Sequence, residues 1–263
     1  MPETPLLQLN NVSKNFGAVQ ALYKVDFAVR EGEVMALVGD NGAGKSTLIK
    51  GIAGIYPFDE GNIQFDGQAV TIAGPRDSAT LGIEVVYQDL ALADNLDVVA
   101  NMFLGRETIH QRWLLDEEEM ERKAIETLDS LAVTTLRSVR QAVAGLSGGQ
   151  RQAIAVARAV MWNSRLVILD EPTAALGVAQ TRQVLDLVRT LADKGLAVIL
   201  ISHNLHDIFE VADRITVLRL GQKVQEFMAA ETNQQEVVHA ITAGTLERVP
   251  GMTEEENGKE QVA

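Results

Sequence analysis

Apolar residues recur along this chain in two rhythms. Short β-type runs fall at Leu6–Val12, Lys24–Val29, Val34–Val38 and Asn62–Phe65, and each predicts a strand. Gly32 marks a turn between the second and third, and Asp66-Gly67 is a hairpin signal after the fourth. A mixed, partly antiparallel sheet is expected here. The first helix is predicted after Gly44, with Leu48, Ile49 and Ile52 at helical spacing and an end near Gly54. From about residue 89 to 164 the rhythm changes. Glu117–Leu131 sets Met120, Ala124, Leu128 and Leu131 on one face, and Gln150–Trp162 is an Ala- and Val-rich segment behind Gly148-Gly149. These predict an inserted, mainly helical subdomain. Beyond it, Leu166–Leu169, Leu196–Ile201 and Arg214–Leu220 read as strands, separated by helices at Val178–Lys194 and Asn204–Ala212. Apolar strands alternating with helices predict a parallel sheet covered on both faces, so the fold class is α/β. Gln234–Ala243 reads as a closing helix, residues 1–247 as the folded domain, and Arg248–Ala263 as an acidic, solvated tail.

Charge narrows the partners. The 263 residues carry 36 acidic and 23 basic side chains, a net charge of -13. Nucleic-acid binding rests on neutralising phosphates, so no nucleic-acid partner is expected, and a polybasic membrane anchor is equally disfavoured. The absence of cysteine excludes disulfides, thiolate metal sites and a cysteine nucleophile. The first residues lack the basic and apolar segments of a secretion signal, and the longest apolar runs are strand-sized. The expectation is a soluble, cytosolic chain.

Three motifs carry chemistry. Gly39-Asp40-Asn41-Gly42-Ala43-Gly44-Lys45-Ser46-Thr47 matches G-x-x-x-x-G-K-[ST] between an apolar strand and a helix. Its glycines let backbone N–H groups curl around phosphate oxygens, Lys45 reaches the β- and γ-phosphates, and the Ser46 hydroxyl is a ligand for Mg²⁺. Leu166-Val-Ile-Leu-Asp170-Glu171 is a buried strand ending in two carboxylates. Asp170 is placed to hold the Mg²⁺ shell and Glu171 to polarise an attacking water. Leu146-Ser147-Gly148-Gly149-Gln150 opens a helix with exposed backbone donors. As a string it arises by chance in only about one chain in several thousand, which makes it the most specific signal present.

With the three motifs in this order, the chain resembles the nucleotide-binding subunit of an ATP-binding cassette transporter, over about Leu6 to Leu220. That resemblance implies a P-loop ATPase fold with an antiparallel β subdomain (residues 1–88 and 165–228 with the core) and a helical subdomain at about 89–164. It also implies further roles. Phe16 corresponds to the aromatic that stacks on adenine, Gln88 to the glutamine that touches Mg²⁺ and water, and His203 to the histidine that contacts the γ-phosphate. His110, His206 and His239 match nothing. One position departs from the family pattern: after Glu171-Pro172-Thr173 the chain reads Ala174-Ala175-Leu176-Gly177, with Gly177 where an Asp is usual. The string Glu-Pro-Thr-Ala-Ala-Leu and the segment Asn101–Glu107 are similar to those of ATPases serving monosaccharide importers of the ribose, xylose and fructose type.

Each motif occurs once. In the family, Lys45 of one cassette and Ser147 of another meet across an ATP sandwich, so a homodimer is implied. The other implied partners are transmembrane permease subunits, with a periplasmic sugar-binding protein indirectly. The implied location is the cytoplasmic side of the plasma membrane. The apolar stretch Leu90–Leu96 after Gln88 is expected to line a groove for a permease helix. An exporter cassette, a soluble non-transport ATPase of the same family and a small-molecule kinase are the alternatives. The signature string speaks against the last.

Overall fold

The computed structural model describes residues 4–110 and 113–243. The predicted tail, Arg248–Ala263, lies outside the described residues. The chain opens with β1 (Leu7–Phe16), β2 (Val19–Val29), β3 (Val34–Val38), α1 (Lys45–Ile52), β4 (Glu60–Phe65), β5 (Gln68–Val70), α2 (Pro75–Thr80) and β6 (Ile83–Val86). The insert holds α3 (Val98–Phe103), β7 (Ile109–His110), β8 (Leu114–Leu115), α4 (Glu117–Ser130) and α5 (Gly148–Val160). The remainder runs β9 (Leu166–Asp170), α6 (Val178–Asp193), β10 (Ala197–Ile201), α7 (Leu205–Val211), β11 (Arg214–Arg219), β12 (Gln222–Met228) and α8 (Gln234–Ala243).

Two sheets result. One is four-stranded and antiparallel, in the order β2-β1-β4-β5. The other is six-stranded, in the order β12-β11-β3-β10-β9-β6, with β12 alone antiparallel at its edge. The period of two along a strand explains how one sheet serves several cores. Met35, Leu37, Ile168, Ile199 and Ile201 face the antiparallel sheet and α1, where they meet Leu9, Phe27, Leu48 and Ile49. Their neighbours Val34, Val167, Leu169, Val198 and Leu200 face the other way, onto Ile154, Leu185 and Val188 of α5 and α6. Both faces being covered is why β3 and β10 are apolar at every position and fully buried. A smaller core, Ile208, Ile215, Val217, Val237 and Ala240, seats α7 and α8.

The structure departs from the sequence expectation in three places. β1 and β2 both run further toward their shared turn, bringing Phe16 opposite Val19. Asn11 and Lys24 lie at φ +51° and +46° beside shifts of register, so the bulged, polar half of the hairpin shows no clean alternation. The insert is not wholly helical: β7 pairs with β8, exposing Ile109, Leu114 and Leu115. Two-residue strands leave no periodic trace in a sequence. Finally, β6 and β12 join the main sheet although neither forms a wholly apolar run.

Candidate active site

β3 delivers the chain into the loop Gly39–Gly44. Gly39 has φ +150°, and a Cβ there would lie 2.2 Å from the Leu218 carbonyl oxygen of β11. Gly44 has φ +104°, and its Cβ would meet Leu22 of β2 at 2.8 Å. No side chain fits either position, so both ends of the loop are bare backbone. The N-terminus of α1 carries no capping side chain and no acid in its first turn. Its first N–H groups and the positive end of the helix dipole are therefore available to an anion. Lys45 is buried at 7% exposure, and its Nζ donates to the carbonyls of Gly39 at 2.6 Å and Asp40 at 3.1 Å. Burial holds its pKa below the usual lysine range, against the opposing pull of Glu171, Asp40 and Asp170.

β9 ends in Asp170, and the chain then bends sharply, leaving Glu171 at φ +51°. This conformation costs of order 1–3 kcal/mol for a residue with a Cβ. Its backbone N–H is held by the Ile201 carbonyl at 3.0 Å. The side chain reaches toward the end of β10. Glu171 Oε2 accepts from the His203 backbone N–H at 3.3 Å, and His203 Nε2 stands 3.1 Å from Oε1. The imidazole is not aligned to bond there, so Oε1 is a buried acceptor without a hydrogen bond. Burial raises the pKa of both carboxylates, and Asp170 raises that of Glu171 further. His203 partly offsets the rise at Glu171, and Lys45 lowers both.

One cleft of about 570 Å³ gathers these groups: the loop Asn41–Thr47 with Lys45, then Gln88, Asp170, Glu171 and His203. The sequence reading named all of them. It missed the walls supplied by Val19–Ala21 of β2, Ile201 of β10 and Leu220-Gly221 after β11. It also missed Asp207, 4% exposed, which accepts from Thr173 Oγ1 and from Asn204 Nδ2, each at 2.7 Å. Asp207 thereby ties the loop after Glu171 to the loop carrying His203. Two local signals pointed to it, the acid in the first turn of α7 and Asn204 as its N-cap.

Ser46, Gln88 and Asp170 line the same cleft and fit Mg²⁺. A hydroxyl, an amide and one carboxylate are hard oxygen donors, too few to enclose an ion. That suits a cation that takes its remaining ligands from phosphate and water. Among the described residues no group of three or more His, Asp or Glu forms an all-protein cage.

Of the other predicted contributors, Gly39 and Asp40 precede the lining residues of the loop, and Phe16 and the signature loop lie elsewhere. Phe16 stands at the hairpin tip, 47% exposed, three residues from Val19 of the cleft wall. The signature loop is absent from the cleft lining. Ser147 caps α5: its Oγ accepts from Gln150 N–H at 3.3 Å, Gln150 Oε1 accepts from Ser147 N–H at 3.0 Å, and Gln150 Nε2 donates to Thr135 O at 2.7 Å. A Cβ on Gly148 would lie 2.7 Å from Leu176, and one on Gly149 would meet Gln180 at 3.2 Å, so these glycines let α5 pack onto the start of α6. Gly177, at the N-cap of α6, is extended and meets nothing within 4 Å of a would-be Cβ.

A second hollow of about 200 Å³ lies between the end of β6, α3 and α5. Leu90 and Ala91 line it with Leu104 and Arg106, while Arg158 donates to the Leu90 and Ala91 carbonyls at 2.8 and 3.0 Å. Leu92 instead packs inward on the core, and Leu96 is half-buried outside the hollow. Among the described residues no helix is long and apolar enough to cross a membrane.

A glycine-walled anion cradle, two desolvated carboxylates and a six-stranded sheet with a helical insert define a P-loop ATPase of the ATP-binding-cassette class. The sequence pattern of the ABC transporter family matches residues 22–174, and the chain belongs to that family. It is 46% identical over 244 residues to the xylose/arabinose import ATP-binding protein XylG of Sulfolobus acidocaldarius, covering 93% of this chain and 96% of that one. It is equally 46% identical over 230 residues to the fructose import ATP-binding protein FrcA of Rhizobium meliloti, covering 85% and 88%. The ribose import ATP-binding protein RbsA of Yersinia pestis is 41% identical, but this chain spans only 48% of its length. Among solved structures, a nucleotide-free ATP-binding cassette from an ABC transporter superposes with TM-score 0.78 at 28% identity, over 91% and 96% of the two chains. A dimeric post-hydrolysis cassette bound to ADP and Pi gives 0.70 at 26% identity, over 85% and 98%.

Proposed function

We propose that this chain is the ATP-hydrolysing subunit of a monosaccharide importer and works as a homodimer with two ATP molecules at its interface. The observation that carries the dimer is the make-up of the cleft in one chain: the cradle and Glu171 share it, and Ser147–Gln150 is absent from its lining. A second copy, turned head to tail, brings its signature loop over the open side of the first. The dimeric cassette with ADP and Pi supports self-association. The names of the relatives, xylose/arabinose, fructose and ribose import proteins, support a monosaccharide as the cargo of the whole assembly.

In this reading Phe16 stacks on the base. The backbone of Gly39–Gly44, with Lys45, Ser46 and Thr47, holds the phosphates; Lys45 exchanges its bonds to the Gly39 and Asp40 carbonyls for phosphate oxygens. Ser46, Gln88 and Asp170 hold Mg²⁺, which when bound neutralises β- and γ-phosphate charge. The Glu171 carboxylate takes a hydrogen bond from the attacking water and then its proton, as the water oxygen bonds to the γ-phosphorus and ADP leaves. His203 contacts the γ-phosphate and steadies Glu171. Donors of the partner's signature loop supply the remaining charge stabilisation. Closure with ATP and opening after hydrolysis drive the permease. The hollow beside Leu90, Ala91 and Leu104 receives a permease helix on the cytoplasmic side of the membrane, and a periplasmic binding protein delivers the sugar from the far side.

The test is gel filtration of Glu171→Gln with ATP and Mg²⁺. Retained ATP binding with a shift from monomer to dimer is expected; a monomer saturated with ATP contradicts the proposal.

A further inference from the structure

Tyr56 belongs to none of the motifs. After α1 the chain turns at Gly54 (φ +73°) and sends Tyr56 back beside the helix it has just left. Its hydroxyl donates to the Thr47 carbonyl at 3.0 Å, and Thr47, the last residue of the phosphate motif and the third of α1, lines the cleft. The same ring meets Phe16 edge to face, with centroids 5.1 Å apart and planes at 84°. Lys14 Nζ stands 5.6 Å from the Phe16 centroid and 5.4 Å from that of Tyr56. The lysine is itself fixed by Asp59 at 2.7 Å, whose other oxygen accepts from the Asn15 N–H at 2.7 Å. The tip of the β1–β2 hairpin is thus clamped to the segment after α1 by a ring pair, a shared cation and an ion pair.

A lone aromatic on an exposed hairpin tip rotates freely and loses that freedom when a base stacks on it. Phe16 has been relieved of much of that loss and still leaves 47% of its surface open. We infer that Tyr56 is a positioning residue for the nucleotide base: it holds the Phe16 ring ready for stacking and ties that ring to the phosphate cradle through Thr47. The inference rests on the reading of Phe16 as the base platform. Because stacking tolerates any base, Tyr56 acts on ATP and GTP alike and not on a base-free polyphosphate.

The experiment compares Tyr56→Leu, Tyr56→Phe, Phe16→Ala and the double variant Phe16→Ala/Tyr56→Leu in the full chain. It reads KM and kcat for ATP, and inhibition by inorganic tripolyphosphate. Tyr56→Leu is expected to raise KM for ATP about 5- to 10-fold with kcat within about 2-fold, and to leave tripolyphosphate inhibition unchanged. Tyr56→Phe keeps the ring and loses the tie to Thr47, so a rise of about 2-fold is expected, and this variant carries the test if Tyr56→Leu does not fold. The double variant should be no worse than Phe16→Ala, because both changes remove one stack. An unchanged KM in Tyr56→Leu, or equal weakening of ATP and tripolyphosphate, overturns the role of Tyr56 alone. An unchanged KM in Phe16→Ala overturns the base platform and this role with it.

Discussion

The loop around Lys45 and Glu171 and the loop around Ser147 are opposites in polar satisfaction. In the first, an ammonium is buried on two carbonyls, two carboxylates are desolvated, Glu171 Oε1 has no hydrogen-bond partner, and its backbone is left-handed. In the second, every named group is matched: Ser147 and Gln150 cap each other, Gln150 reaches Thr135, and two glycines close the packing on α6. Unmatched polar groups and backbone strain gather where a ligand enters. A satisfied helix cap is instead a rigid plate, ready to be pressed against something else. In the proposed sandwich the first loop receives an anion and the second is presented to one.

Substitutions can sharpen or break that contrast. The largest effect is expected at Lys45→Ala, which removes the buried cation from the cradle and should weaken ATP binding about 30- to 100-fold by equilibrium titration. Unchanged affinity would remove Lys45 from the phosphate site. Ser147 separates structure from function. Ser147→Ala costs the cap about 1 kcal/mol, whereas Ser147→Asp keeps it, since Asp caps as well as Ser. The Asp variant should therefore retain its Tm to within about 2 °C yet lose ATP-driven dimerisation, because a carboxylate then faces the partner's triphosphate. Dimerisation at wild-type level in Ser147→Asp would show that the plate never meets phosphate.

The smallest effect concerns pH. The folded-state pKa of Glu171 lies above its unfolded value, so between the two the unfolded chain binds fewer protons. Its contribution to stability therefore falls as pH rises through that window and is neutral below it. Nucleotide-free Glu171→Gln should melt above the wild type near neutral pH, by about 2–4 °C for each kcal/mol relieved. The gap should close as pH drops below the ordinary carboxylate range. A pH-independent gap would assign the change to packing instead.

The placement of the site was legible where motif and element coincide. Gly39–Thr47 follows a wholly apolar strand, and Asp170-Glu171 stands at the end of another buried strand, so their positions could be read together. Contributions from an irregular strand or from distant packing were not legible. Val19–Ala21 enters the cleft from a bulged, polar strand that no alternation marks. Asp207 and Tyr56 act by joining loops that are far apart in sequence. The ring contact of Tyr56 with Phe16 and the hydrogen bond from Thr173 to Asp207 exist only once the β1–β2 tip lies beside the segment after α1 and β9 lies beside β10. The β7–β8 hairpin was hidden for a third reason, since strands of two residues have no period to read.

Complementation between two inactive chains tests the sharing of one site by two copies most directly. In a head-to-tail pair, a Lys45→Ala chain and a Ser147→Asp chain together build one site from two intact halves and one from two damaged halves. With Glu171→Gln added to both chains to halt turnover, each alone should occlude no ATP. Their equimolar mixture should trap one ATP per mixed dimer, measured as labelled nucleotide retained through rapid gel filtration. A mixture that retains none, as each parent does, would contradict the shared site.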